Sequence, residues 1–179
     1  MSGEAAKRRS TPPLRRESSL KLFFLRHGKA ENRADWRDDD DLRPLTAEGE
    51  RLLVAEARAI GRLTKGLELI LTSPLVRARQ TADIVAGELG LGRLVHDHAA
   101  IGRGLDAGVL RGIVAVHPGV SSLMVVGHEP DFSLTIAELI GGGRVDMRKG
   151  GLARVDVRGP ALDGGVLEWL LTPAQLTGE

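Results

Sequence analysis

"FFLRHGKAE", residues 23–31, runs from an apolar stretch straight into Arg26-His27-Gly28-Lys29. Leu22 to Leu25 has the length and apolarity of a strand buried on both faces. Cores rarely end by setting a guanidinium beside an imidazole. The abrupt change therefore points to a site at the strand's carboxyl end, and the rest of the chain is read outward from it.

Downstream, the periods alternate. Thr46 is placed as the N-cap of a helix, with Glu48 and Glu50 in its first turn, where they complement the helix dipole. Leu53, Ala57 and Ile60 follow at helical spacing. "LELILTS" (67–73) reads as a second strand, and Ser73-Pro74 as the cap and first residue of a helix running to about Leu89. "GRLVHDH" (92–98) can form a strand. Ala107 to Val116 reads as a helix ended by Pro118-Gly119. "SLMVVGH" (122–128) is the clearest strand of all, with a helix after it through about Ile140 and Gly141-Gly142-Gly143 to close it. "GLARVDVRG" and "GGVLEWLL" alternate with period two, close together, as an antiparallel or edge pair would. This strand–helix alternation predicts an α/β fold: a mostly parallel central sheet with helices on both faces and antiparallel edge strands at the C-terminal end.

Composition bounds the function. The 179 residues suit one domain with a continuous core. A formal net charge of +1 gives no bulk attraction to nucleic acid or an anionic membrane, and 3% aromatic content is too thin for base stacking. There are no cysteines, which removes disulfides, thiolate nucleophiles and cysteine-ligated metals. No apolar run approaches the roughly 18 residues needed to span a bilayer. Residues 1–20, "MSGEAAKRRSTPPLRRESSL", are basic, proline-containing and nearly devoid of apolar side chains. They read as a disordered basic tail ahead of a domain over 21–179. The tail also lacks the apolar stretch of a secretory signal, so the expected location is cytoplasmic.

In open α/β sheets ligands bind at the carboxyl ends of the strands. Three predicted strands end there in unusual chemistry: Arg26-His27-Gly28, Thr72-Ser73 leading to Arg77, and Gly127-His128-Glu129. Arg77 and Arg79 stand about 200° apart on a helix. Only one can face the crevice, and Arg77 is nearer the positive helix end. Two guanidiniums, glycine-flanked amides and helix starts suit a tetrahedral dianion. Positive charge nearby disfavours imidazolium, so a histidine in that nest keeps a free lone pair and is a nucleophile toward bound phosphorus.

"LRHG" (25–28), "TSPLVRARQT" (72–81) and "VVGHEP" (125–130) together resemble the three signatures of the histidine phosphatase superfamily, which includes phosphoglycerate mutases and acid phosphatases. The short domain and "DLRPLTAEG" (41–49) resemble its SixA group of phosphohistidine phosphatases. The resemblance implies a phosphoglycerate mutase-like fold and a nucleophile at His27, phosphorylated during turnover. It further implies phosphate binding by Arg26, Gly28, Arg77 and His128, and no metal or other cofactor. His96 and His98 share a strand face and can chelate, but a surface strand is the expected role of that segment. Glu129 follows the second histidine, where acid phosphatases of the superfamily carry an aspartate, and is the candidate general acid. Its alternative role is a helix-start carboxylate. Asp35 and Asp38–Asp41 lie in the loop after the nucleophile and can reach over the site, one of them as an alternative general acid, while a solvated acidic loop is the expected role of most of them. Lys29, Arg43 and Arg79 are left open, and His117 reads as structural.

The expected activity is metal-independent hydrolysis of a phosphomonoester or phosphoramide, with a phosphohistidine-bearing signalling protein as the favoured partner. Phosphatase action on small phosphorylated metabolites, or a non-catalytic phosphate-binding adaptor, are the alternatives. A mutase is disfavoured by the short chain between the second and third motifs.

Overall fold

The computed structural model describes residues 19–159 and 161–178. Apart from Ser19 and Leu20, the expected tail lies outside them. Those two residues already belong to the first strand, β1 (Ser19–Arg26), which begins earlier than the apolar run suggested. The reason is pairing: Ser19 and Leu20 lie opposite Arg158 and Val157.

The remaining strands are β2 (Leu69–Thr72), β3 (Val95–Asp97), β4 (Ser122–Gly127), β5 (Leu152–Arg158) and β6 (Asp163–Leu171). They form one sheet in the order β3-β2-β4-β1-β5-β6. The first four are parallel, while β5 and β6 run antiparallel at the C-terminal edge, as the alternation predicted. The helices are α1 (Ala47–Leu63), α2 (Val76–Glu88), α3 (Ala107–Ala115), α4 (Asp131–Leu139) and a short α5 (Pro173–Thr177), the last with no forerunner in the sequence reading.

Alternation along β1 divides the core. Leu22 and Phe24 join Leu110, Ile113, Phe132 and Ile136 of α3 and α4 on one face. Phe23 and Leu25 join Leu53, Ile60, Ala82 and Val85 of α1 and α2 on the other. Both faces are covered, which is why the central strands are continuous apolar runs. Phe24 meets Phe132 edge-on at 5.3 Å between ring centroids. Truncating either ring would cost about 3–5 kcal/mol.

Two helix starts differ in kind. Thr46 caps α1 as expected, its hydroxyl accepting from Gly49 N–H at 3.0 Å. Gly49 is required there, since a Cβ would sit 2.1 Å from the Lys29 carbonyl oxygen. At α2 the expectation fails: the helix begins at Val76, not at Pro74. Ser73 Oγ accepts from Leu75 N–H at 3.2 Å, and the Ser73 amide is spent on Val126 O of β4 at 2.9 Å. Ser73 therefore continues the sheet and only then turns the chain.

Among the described residues no helix is long and apolar enough to cross a membrane.

Candidate active site

The parallel register aligns three strand ends. Arg26 stands opposite Gly127, and Thr72 opposite Val126. The next residues, His27, Ser73 and His128, therefore emerge along one edge. His27 N–H donates to Gly127 O at 3.0 Å and fixes the first to the third. Because β5 is antiparallel, the loop leading into it arrives at the same edge. There Arg26 donates from Nη1 to Met147 O, and Gly150 N–H reaches the carbonyls of Arg26 and His27.

These segments enclose a cavity of about 290 Å³ whose lining includes Arg26, His27, Arg77, His128 and Glu129. Five residues the sequence reading left open or unmentioned join them: Glu31, Asn32, Arg33, Arg43 and Lys149. Arg77 is buried at 6% exposure, whereas Arg79 turns outward and pairs with Asp83 and Asp97. Of the two, Arg77 is the one that faces the cavity. Gly28 is corrected: it is absent from the cavity wall, and its N–H donates to Thr81 Oγ1 at 3.1 Å. A side chain there would collide with Leu53 of α1, so its smallness serves packing. Glu129 accepts from Ser133 N–H at the start of α4 and also lines the cavity.

The two imidazoles lie 5.2 Å apart between centroids. His27 Nδ1 is 2.8 Å from Gly28 O. A carbonyl only accepts, so Nδ1 carries the proton and Nε2 keeps its lone pair. Burial, with His128, Arg77 and Arg26 adding to it, lowers the His27 pKa to about 3, against an opposing contribution from the Gly28 hydrogen bond. Burial first, then Arg77, lowers that of His128 to about 4. Neutrality was expected from flanking cations alone, but desolvation leads in both rings.

His128 Nε2 is 2.8 Å from Ser73 Oγ. That oxygen also accepts from Leu75 N–H and keeps both a second lone pair and its own proton, so it can pair with either tautomer of the His128 ring. Arg26 Nε, Arg77 Nε and His128 Nδ1 are buried without a partner among the described residues. Unpaired buried donors are costly. Two such donors and an imidazole nitrogen around one small cavity form an arrangement that a tetrahedral oxyanion would satisfy, beside a neutral nitrogen able to attack its centre.

Among the described residues no group of three or more His, Asp or Glu is arranged to hold a metal ion. His96 is exposed on β3, and His98 lies just beyond that strand.

Comparison with known proteins agrees with this geometry. Residues 22–101 match the model of the histidine phosphatase superfamily (branch 1), a span that includes His27 and Arg77. An uncharacterized protein of Picosynechococcus sp. is 42% identical over 120 residues, covering 63% of this chain and 68% of the relative. Phosphohistidine phosphatase SixA of Escherichia coli is 28% identical over 166 residues, 88% of this chain and 96% of that protein. The structure of the protein histidine phosphatase SixA complexed with tungstate superposes with a TM-score of 0.77 at 27% identity, covering 88% of this chain and 99% of that one. The chain belongs to the histidine phosphatase superfamily, within its SixA-type group, and is a phosphatase.

Proposed function

We propose that the chain is a protein phosphohistidine phosphatase that works through a phosphohistidine intermediate on His27. The observation that carries this reading is the cavity wall, whose lining residues are all polar or charged: Arg, His, Glu, Asn and Lys. Pockets for small metabolites are mostly apolar, with a few polar groups to orient the ligand. A wall of this kind holds a phosphoryl group and leaves the bearer outside, which suits a phosphate carried on a protein surface.

In the proposed reaction His27 Nε2 attacks phosphorus as the phosphorus–nitrogen bond to the substrate imidazole breaks, and that leaving nitrogen takes a proton. Arg26, Arg77 and the Nδ1 proton of His128 bind the equatorial oxygens and stabilise the charge spread over them. Water then attacks phosphorus, the bond to Nε2 breaks, and phosphate leaves with His27 restored. Glu129, on the cavity wall, is the candidate proton donor. An imidazole already protonated is a good leaving group, so this substrate makes a smaller demand on that donor than a phosphoserine would.

The test has two parts. Quenching turnover with a labelled phosphodonor, followed by peptide mapping, should place the adduct on His27 and lose it in His27→Ala. Catalytic efficiency on a phosphohistidine protein should then exceed that on sugar phosphates and phosphoserine peptide, with EDTA present throughout. Preference for sugar phosphates would move the assignment to the metabolite phosphatases, and label elsewhere than His27 would end it.

A further inference from the structure

Most of Asp35 and Asp38–Asp41 were expected to form a solvated acidic loop that could reach over the site, and one of them, Asp40, faces inward. Asp40 begins a single 3-10 turn (Asp40–Leu42). Its carbonyl oxygen accepts from Arg77 Nη1 at 2.7 Å, and its Oδ2 from Arg77 Nη2 at 3.2 Å. Its other carboxylate oxygen, Oδ1, accepts from Arg43 Nε at 2.8 Å. Arg43 is itself buried and donates from Nη1 to Glu31 O at 2.7 Å.

We infer that Asp40 is a positioning residue that holds Arg77 and Arg43 on one carboxylate, making Arg43 a third guanidinium for the bound phosphoryl group. This rests on the reading that the cavity binds a phosphoryl group. Three observations support it. Both terminal nitrogens of Arg77 are anchored on Asp40, so the unpartnered Nε edge is left for an anion. Arg43 and Arg77 both line the cavity and Asp40 does not, so an anion can enter without displacing it. Finally, the Arg43 guanidinium repels that of Arg77, and an arginine left free has rotamer entropy to lose on being fixed. A carboxylate between them offsets the repulsion and fixes both before substrate arrives. The opposite role, in which Asp40 occupies the place of the phosphate, would make it a competitor of the ligand.

The experiment titrates inorganic phosphate calorimetrically into wild type, Asp40→Asn and Asp40→Ala, with p-nitrophenyl phosphate kinetics alongside. Both variants should bind phosphate about tenfold more weakly and lose about 30–100-fold in kcat/KM. Sodium formate, small enough to refill the gap, should restore much of the loss in Asp40→Ala, and sodium chloride at equal ionic strength should not. A purely structural role would not respond to formate, and circular dichroism identifies a variant that fails to fold, leaving the other to decide. Unchanged or tighter phosphate binding in a folded variant, or no response to formate, overturns the inference. The His27 adduct in wild type is scored separately. Its absence defeats the proposed function, while the phosphate titration still decides the clamp.

Discussion

Ser73 Oγ and His128 Nε2 lie 2.8 Å apart, joining the ends of two neighbouring strands through one hydroxyl. The hydroxyl accepts from Leu75 N–H and is itself completely buried. It begins the turn into α2 and, in the proposed reaction, donates to Nε2 so that the His128 ring proton stays on Nδ1. Ser73→Ala should lose both. Leaving buried groups unpaired costs about 1–3 kcal/mol, so a fall in melting temperature is expected, together with a drop in kcat of about tenfold or more. Nitrogen-15 shifts of the His128 ring report the tautomer directly. A ring still protonated on Nδ1 alone in Ser73→Ala would mean that the hydroxyl does not set it.

The two cavity histidines make acid stability predictable. Their folded pKa values are about 3 and about 4, below the ordinary 6.5. Between those limits the unfolded chain binds more protons than the folded one, so stability rises with pH across the window and is lost as pH falls through it. At 1.36 kcal/mol per pH unit the His27 contribution is at most about 5 kcal/mol. Denaturant titrations from pH 7 to pH 4 should show this decline, and His27→Asn should flatten it. Above about pH 5 both rings stay neutral, so a loss of activity between pH 7 and 5 should disappear from profiles corrected for substrate ionisation.

Glu56 gives a pH dependence of the opposite sign. Its side chain is buried on α1, with Oε2 unpartnered among the described residues and filling the space a side chain at Gly150 would need. Burial raises its pKa from 4.5 to about 7. The folded state keeps the proton that the unfolded state has lost, so stability falls as pH rises from 4.5 to about 7. Glu56→Met, close in volume, removes that penalty. It should stabilise the protein by up to about 3 kcal/mol at pH 8 and by much less at pH 5. Equal effects at the two pH values in urea melts would contradict a neutral buried carboxyl.

What could be read in advance follows from where the information is local. A short apolar run that ends in charge marks both a buried strand and the residue after it, and so His27, His128 and their edge were legible. The choice between Arg77 and Arg79 needed only helix geometry. Lys149 was not legible and Arg43 and Asp40 could only be left open, because each comes from a loop whose course depends on distant contacts, such as the Ala30 to Leu45 bridge that folds residues 30–45 back on themselves. Glu56 did leave a signal that went unused: it lies between Leu53 and Ile60 on the stripe that α1 buries. The late start of α2 had a similar cause, since a Ser-Pro pair looks the same whether or not its hydroxyl is shared with a histidine 55 residues away.

The two arginines of α2 provide the sharpest comparison, since they share a helix and differ in direction. Arg77 offers an unpartnered Nε in the cavity, and removing one such donor from a preorganised site costs about 100- to 1,000-fold in kcat. Arg77→Ala should fall in that range on p-nitrophenyl phosphate. It should also change folding stability, because it leaves Asp40 without one of its guanidiniums. Arg79 is paired on the surface with Asp83 and Asp97, and exposed pairs contribute about 0–1 kcal/mol. Arg79→Ala should keep kcat/KM within about twofold of wild type. Loss of activity in Arg79→Ala comparable to that in Arg77→Ala would mean that the anion is held by the outer face of the helix, and that the cavity described above is not where the phosphoryl group binds.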